Sequence, residues 1–250
     1  MKRKEFYQLE NFMQTCMKGS AHDREHVYRV LHTALEIAEE YPEVDTDILL
    51  AACLLHDIGR EAQYADPSVD HAKEGAEMAL HFLLDSGWTG ERAQQVSAAI
   101  RQHRYRSEEP PESLEAKILF DADKLDVTGA MGIARTLQYQ GRMGHPLYHL
   151  DAEGAVLPGQ NDSEPSFLHE YCFKLKNLYG RFFTRKGTEM AETRKKLPKL
   201  ISPLFWMKYR SQQKGSGFFP SLKNEFHCSL DKSKRSAFLE SPQKICCILP

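Results

Sequence analysis

The sequence lacks the marks of a secreted or membrane-embedded chain. Its six cysteines, Cys16, Cys53, Cys172, Cys228, Cys246 and Cys247, form no C-x-x-C pair. No disulfide framework is suggested, and a reducing, cytoplasmic setting fits best. No apolar run approaches the ~18 residues that a membrane span requires. The basic opening MKRKEFYQLE is not followed by the apolar core of a signal peptide. A Gly-rich phosphate loop and a Ser-x-x-Lys pair are both missing, which argues against P-loop NTPases and covalent serine hydrolases. There is no convincing alternating strand and no internal repeat. The formal charge of only -2 gives no general pull toward nucleic acid or membrane.

What is present is helical periodicity. The chain has 250 residues and is 41% hydrophobic, enough for one sizeable core plus an appendage. Val27, Val30, Leu31, Ala34, Leu35 and Ala38 recur at three- and four-residue steps, and Pro42 stops that helix. A second helix begins at an Asp45 or Thr46 cap and runs through Leu55, with Gly59 placed to end it. Others are expected from near Asp70 to before Gly87, and from near Thr89 to His103. Ser113 is expected to cap one long helix through Leu125, Gly129, Ile133 and Leu137. Residues 141–165, with four Gly and three Pro, read as a loop, followed by helices over roughly 166–180 and 187–197. The fold class is therefore all-α. Residues 201–250 lose the periodicity and hold 8 Lys and Arg against 3 Asp and Glu. We therefore expect a domain over 1–200 and a basic, poorly patterned C-terminal extension over 201–250.

The strongest local signal is His56-Asp57 at the end of an apolar helix. Burying an imidazole and a carboxylate without partners is costly, and a divalent cation would satisfy both. His26 on an earlier helix and Asp123 on a later one could complete a set of four, because ligands from separate helices can converge inside a bundle. The positions left open around such an ion mark a catalytic rather than a structural site. Against this stand bland readings: a chance His-Asp dipeptide, a satisfied core histidine, and a solvated acidic face made by Asp121, Asp123 and Asp126.

The ordered motifs resemble those of the HD-domain superfamily of metal-dependent phosphohydrolases. The matching segments are AHDREHVYRV (21–30), LLHDIGR (54–60), DHAKEGAEMAL (70–80), AAIRQH (98–103) and EAKILFDADKLDVTGAMGIAR (115–135). The stretch FLHEYCFKLKNLYGRFFTRKGTEMAETR (167–194) is similar to the end of the small bacterial HD proteins linked to nucleotide pyrophosphohydrolase activity. The resemblance implies an HD-domain helical bundle with metal ligands at His26, His56, Asp57 and Asp123. It further implies a divalent ion, one of Mn²⁺, Mg²⁺, Co²⁺ or Ni²⁺, and a small phosphorylated substrate, nucleotides being favoured. His71 and His103 stand where some members place extra histidines, to help hold a second ion or to contact phosphate.

Around these, Arg60, Lys73, Arg104 and Lys124 are candidates for pairing with phosphate oxygens. Arg29 could steady an acidic group from behind. The implied reaction is attack by metal-activated water, with Asp126 or Glu61 relaying the proton. Two other classes stay open. One is a metal- or nucleotide-binding module without turnover, and the other is a helical scaffold with an incidental His-Asp pair. The basic extension adds a weaker idea, a non-specific nucleic-acid contact. The sequence leaves the oligomeric state open.

Overall fold

An acid in front of an apolar run starts the central helix. Asp45 accepts hydrogen bonds from the backbone N–H groups of Asp47 and Ile48, at 3.0 and 3.1 Å, and so satisfies two of the orphan donors of a helix start. Behind it every residue from Ile48 to Leu55 is buried. A helix apolar on all sides must be enclosed on all sides, and α3 (Thr46–Leu55) packs against α1 (Arg3–Cys16), α2 (Arg24–Ala38), α6 (Gly90–Arg101) and α7 (Leu114–Leu125). Each Leu or Ile taken wholly out of water here contributes about 1.5–3 kcal/mol. The computed structural model describes residues 1–17, 24–104, 109–152, 154–160 and 162–195. The expected boundary near residue 200 and the basic extension over 201–250 lie outside the described residues.

Around α3 the chain adds α4 (Arg60–Ala65), α5 (His71–Asp85), α8 (Gly129–Arg142), α9 (Phe167–Phe173), a 3-10 helix (Leu175–Gly180) and α10 (Arg185–Arg194). The described residues contain no strand, only one isolated antiparallel bridge between Leu150 and Val156 in the expected loop. The all-α class is borne out. The cap expected at Ser113 receives Ala116 N–H, and at the helix starts expected near Asp70 and Thr89 these residues act as caps, Asp70 receiving Ala72 N–H and Lys73 N–H and Thr89 receiving Arg92 N–H. No helix among the described residues is long and apolar enough to cross a membrane.

Three expected helix limits are corrected. Gly59 does not end α3. That helix stops at Leu55, His56 to Gly59 form a turn, and Gly59 precedes the short helix α4. The glycine serves a close approach instead. A Cβ on Gly59 would lie 2.3 Å from the carbonyl oxygen of His71 and 2.6 Å from Gly75 N. Only a bare backbone lets α5 come this near to the His-Asp turn. The long helix from Ser113 to Leu137 is also broken, into α7 and α8. Gly129 adopts φ +60, which a continuing helix cannot hold, and Thr128 turns its hydroxyl back onto Leu125 O at 2.6 Å. The expected helix over 166–180 is likewise split, α9 giving way to the 3-10 turn.

Candidate metal centre

The ends of α3 and α7 and the start of α2 meet at one buried point. His26 comes from the first turn of α2, His56 and Asp57 follow α3 directly, and Asp123 sits in the last turn of α7. The start of α5 adds His71, and His103 follows α6. All six are buried. They form two groups, His26–His56–Asp123 and Asp57–His71–His103, and within each the ligand atoms lie within 4.8 Å of one another.

The protonation pattern of the first group follows from its partners. His56 Nδ1 lies 2.8 Å from Cys53 O, and a carbonyl can only accept, so Nδ1 carries the proton and Nε2 a lone pair. His26 Nδ1 lies 2.7 Å from Asp126 Oδ2. Arg135 Nη1 is also near Nδ1, at 3.1 Å, but the closer carboxylate decides that Nδ1 donates. The electron-rich Nε2 of His56 stands 3.4 Å from Nε2 of His26, which lies 3.2 Å from Asp123 Oδ1 and there holds either a proton shared with that carboxylate or a lone pair for a cation. Lone pairs do not gather in this way without a cation or a shared proton between them. The donor set of two imidazoles and a carboxylate fits a borderline divalent ion.

Asp57 joins the groups. Its Oδ2 lies 3.7 Å from His26 Nε2 and 3.6 Å from His56 Nε2. Its Oδ1 lies 3.7 Å from both His71 Nε2 and His103 Nε2 and accepts a hydrogen bond from Arg60 Nε at 2.9 Å. Burial pushes the Asp57 carboxyl up, yet Arg60 and the surrounding histidines outweigh this and hold it well below the usual carboxylate range. Burial likewise opposes ionisation of Asp123, and Lys124 and His26 overcome it. His56 is lowered to about 4, first by burial, and His71 to about 2 by burial and Arg60. Both imidazoles are therefore neutral near pH 7, the form that binds metal.

Several buried polar atoms have no hydrogen-bond partner: Asp57 Oδ2, both ring nitrogens of His71, His103 Nε2 and Glu61 Oε1. The first four belong to the cluster and are the kind of orphan that an ion, a water or a substrate oxygen would satisfy. His103 Nδ1 donates to Ile100 O at 2.5 Å, so its orphaned Nε2 is an acceptor.

The other expected site residues divide. Lys124 is buried beside the centre, its Nζ 2.5 Å from Asp123 Oδ2. Arg104 pairs at 2.7 Å with Asp70, the cap of the helix that His71 begins. Glu61 is half-buried in the first turn of α4 and joins neither group. Lys73 is exposed on α5 and joins neither group. Asp126, expected as a free carboxylate for proton relay, is fully engaged. Arg29 donates to Oδ1 at 2.7 Å, Arg135 pairs with Oδ2, and His26 donates as above. Its pKa is lowered against the burial penalty by His26 and Arg29, which suits it to orient His26 rather than to move a proton. Asp121 is settled too: it accepts from Phe183 N, Thr184 N and Thr184 Oγ1 and anchors the start of α10. Arg135 escaped the sequence reading. It comes to Asp126 only because the chain breaks at 126–128, and an uninterrupted helix gives no hint of that contact.

A helical bundle with a His, His-Asp, Asp constellation defines a class, and residues 24–128 match the model of the HD domain. Over these residues the chain resembles the HD-domain proteins. It is similar to YpgQ of Bacillus subtilis, 29% identical over 197 residues, covering 76% of this chain and 87% of YpgQ. The crystal structure of YpgQ in complex with ADP matches with a TM-score of 0.58 at 26% identity, over 85% of this chain and 96% of that one. A crystal structure of an HD-superfamily hydrolase from Bacillus thuringiensis matches with a TM-score of 0.63 at 27% identity, over 85% of this chain and all of that one. A shorter likeness, 30% over 116 residues, is to the 3'-5' exoribonuclease YhaM of Halalkalibacterium halodurans. It covers 40% of this chain and 36% of that enzyme.

Proposed function

We propose that this chain is a cytoplasmic, metal-dependent phosphohydrolase that hydrolyses a nucleotide at the cluster of His26, His56, Asp57 and Asp123. The observation that carries the reading is the pair of imidazole Nε2 atoms 3.4 Å apart beside two ionised carboxylates, an arrangement that calls for a cation. A divalent ion held there supplies Lewis acidity, lowering the pKa of water and offsetting phosphate charge. The protein groups supply the rest. Asp126 and Cys53 O fix the tautomers of His26 and His56. Lys124, paired to Asp123, can swing its ammonium onto a phosphate oxygen, and Arg60 balances charge at Asp57. Asp57 Oδ1, His71 and His103 Nε2 form the donor set for a second ion. The acceptor character of His103 Nε2 suits a cation better than a phosphate.

The likeness to a protein crystallised with ADP supports the nucleotide as substrate. The test is metal analysis of the purified full-length chain, followed by a nucleotide panel with Mn²⁺, Mg²⁺, Co²⁺ and Ni²⁺ that scores phosphate and pyrophosphate separately. Stoichiometric metal with turnover of at least one nucleotide is expected. Stoichiometric metal with nucleotide binding but no turnover would instead identify a binding module. Absence of both would leave a helical scaffold.

A further inference from the structure

The phosphate chemistry uses one end of a substrate, and the structure offers a place for the other end. Of the six side chains in the cluster, five keep at most 4% exposure, whereas Asp123 keeps 11%. Solvent therefore meets the centre on the Asp123 side, where Lys124 stands. Lys124 Nζ lies 5.1 Å from the centre of the Phe120 ring. Phe120 in turn walls a cavity of about 310 Å³ that Phe182, Phe183, Arg104, Arg181 and Glu109 also line. Phe183 meets Phe120 edge-on, with ring centres 5.0 Å apart, and leaves 45% of its surface exposed. Arg104 directly follows His103 in the chain and is tied through Asp70 to the start of α5.

We infer that this cavity receives the base of a nucleotide whose phosphates lie at Asp123 and Lys124, a reading that rests on the nucleotide hydrolase proposed above. The lining selects the chemistry. Three phenyl rings offer faces and edges to a flat ring system, and guanidinium groups stack on such rings while their N–H groups donate to ring nitrogens or carbonyls. The Glu109 carboxylate can accept from an exocyclic amine. A lipid tail would find too much charge here, and a sugar too few hydrogen-bonding groups. The volume falls at the small end for ligand sites, which suits one ring system with the ribose and phosphates outside it.

Phe183→Ala is the test, since its exposed ring can be removed while its backbone N–H still reaches Asp121. In the full-length chain, KM for a nucleoside triphosphate and the Kd of a nucleoside diphosphate should both rise about tenfold to a hundredfold. Hydrolysis of inorganic tripolyphosphate, which has no base, should keep its KM and kcat, and Phe183→Trp should restore nucleotide affinity. Unchanged nucleoside diphosphate affinity in Phe183→Ala would overturn the assignment, as would an equal loss toward tripolyphosphate. If the native chain turns over no nucleotide, the proposed function fails, but calorimetric binding of the diphosphate still decides the cavity.

Discussion

The two halves of the buried cluster use the same residue types and are supported differently. In the His26–His56–Asp123 group every ligand has a second partner: Asp126 behind His26, Cys53 O behind His56, Lys124 beside Asp123. In the Asp57–His71–His103 group Arg60 steadies Asp57 and Ile100 O steadies His103, while His71 has no hydrogen-bond partner on either ring nitrogen. A buried polar group left unpaired costs about 1–3 kcal/mol. The first half is thus organised before anything binds. The second stores part of its cost until something arrives. This difference predicts an order of occupancy, with a tight ion in the first half and a weaker ion, or one that comes with substrate, in the second.

Removing the residue the halves share should do the most damage. Asp57→Ala takes an oxygen from both, and turnover should fall by at least about a thousandfold together with metal content. The helical circular dichroism should survive, because α3 keeps its apolar surroundings. Full metal content with full activity in purified Asp57→Ala would refute the site. Next come two variants meant to separate the halves. Asp126→Asn loosens the tautomer and aim of His26 and should weaken the tight ion about 10- to 100-fold in a chelator competition. His71→Ala should leave that ion in place and remove the weaker one. Should both variants lose metal alike, the cluster is one site and the comparison collapses.

These residues also show what a sequence can and cannot disclose. The histidines and carboxylates were legible because each lies in a short local motif, and the resemblance of those ordered motifs to the HD-domain superfamily singled them out. Caps such as Asp45 and Ser113 were legible from local pattern, an N-cap residue in front of a helical run. What was not legible depends on contacts between distant segments. Asp126 read as a free carboxylate one turn past Asp123, yet Arg29 and Arg135, 97 and 9 positions away, claim it. The break that brings Arg135 round rests on a left-handed Gly129 whose N–H meets Tyr179 OH at 3.0 Å. Gly59 read as a helix stop because the approach of α5 to its backbone leaves no mark in local pattern.

The smallest expected effect is a pH slope in stability, and it tests the neutral state of His71 without any substrate. An ordinary histidine titrates near 6.5, whereas folding lowers His71 to about 2 through burial and Arg60. Above pH 6.5 neither the folded nor the unfolded chain holds this proton, so the group contributes no slope. Below it the unfolded chain takes the proton and the folded chain refuses it, so stability falls by about 1.4 kcal/mol per pH unit. His56 adds the same until about pH 4. His26 works the other way. Burial lowers it, but hydrogen bonds to Asp123 and Asp126 raise it overall, so its contribution is present below 6.5 and is lost as pH rises through its folded value. Two lowered histidines outweigh one raised, and urea unfolding of the metal-free protein should show lower stability at pH 5 than at pH 7. His71→Leu should remove about one proton from that slope, and an unchanged slope would mean that His71 is protonated in the folded chain and is no ligand in waiting.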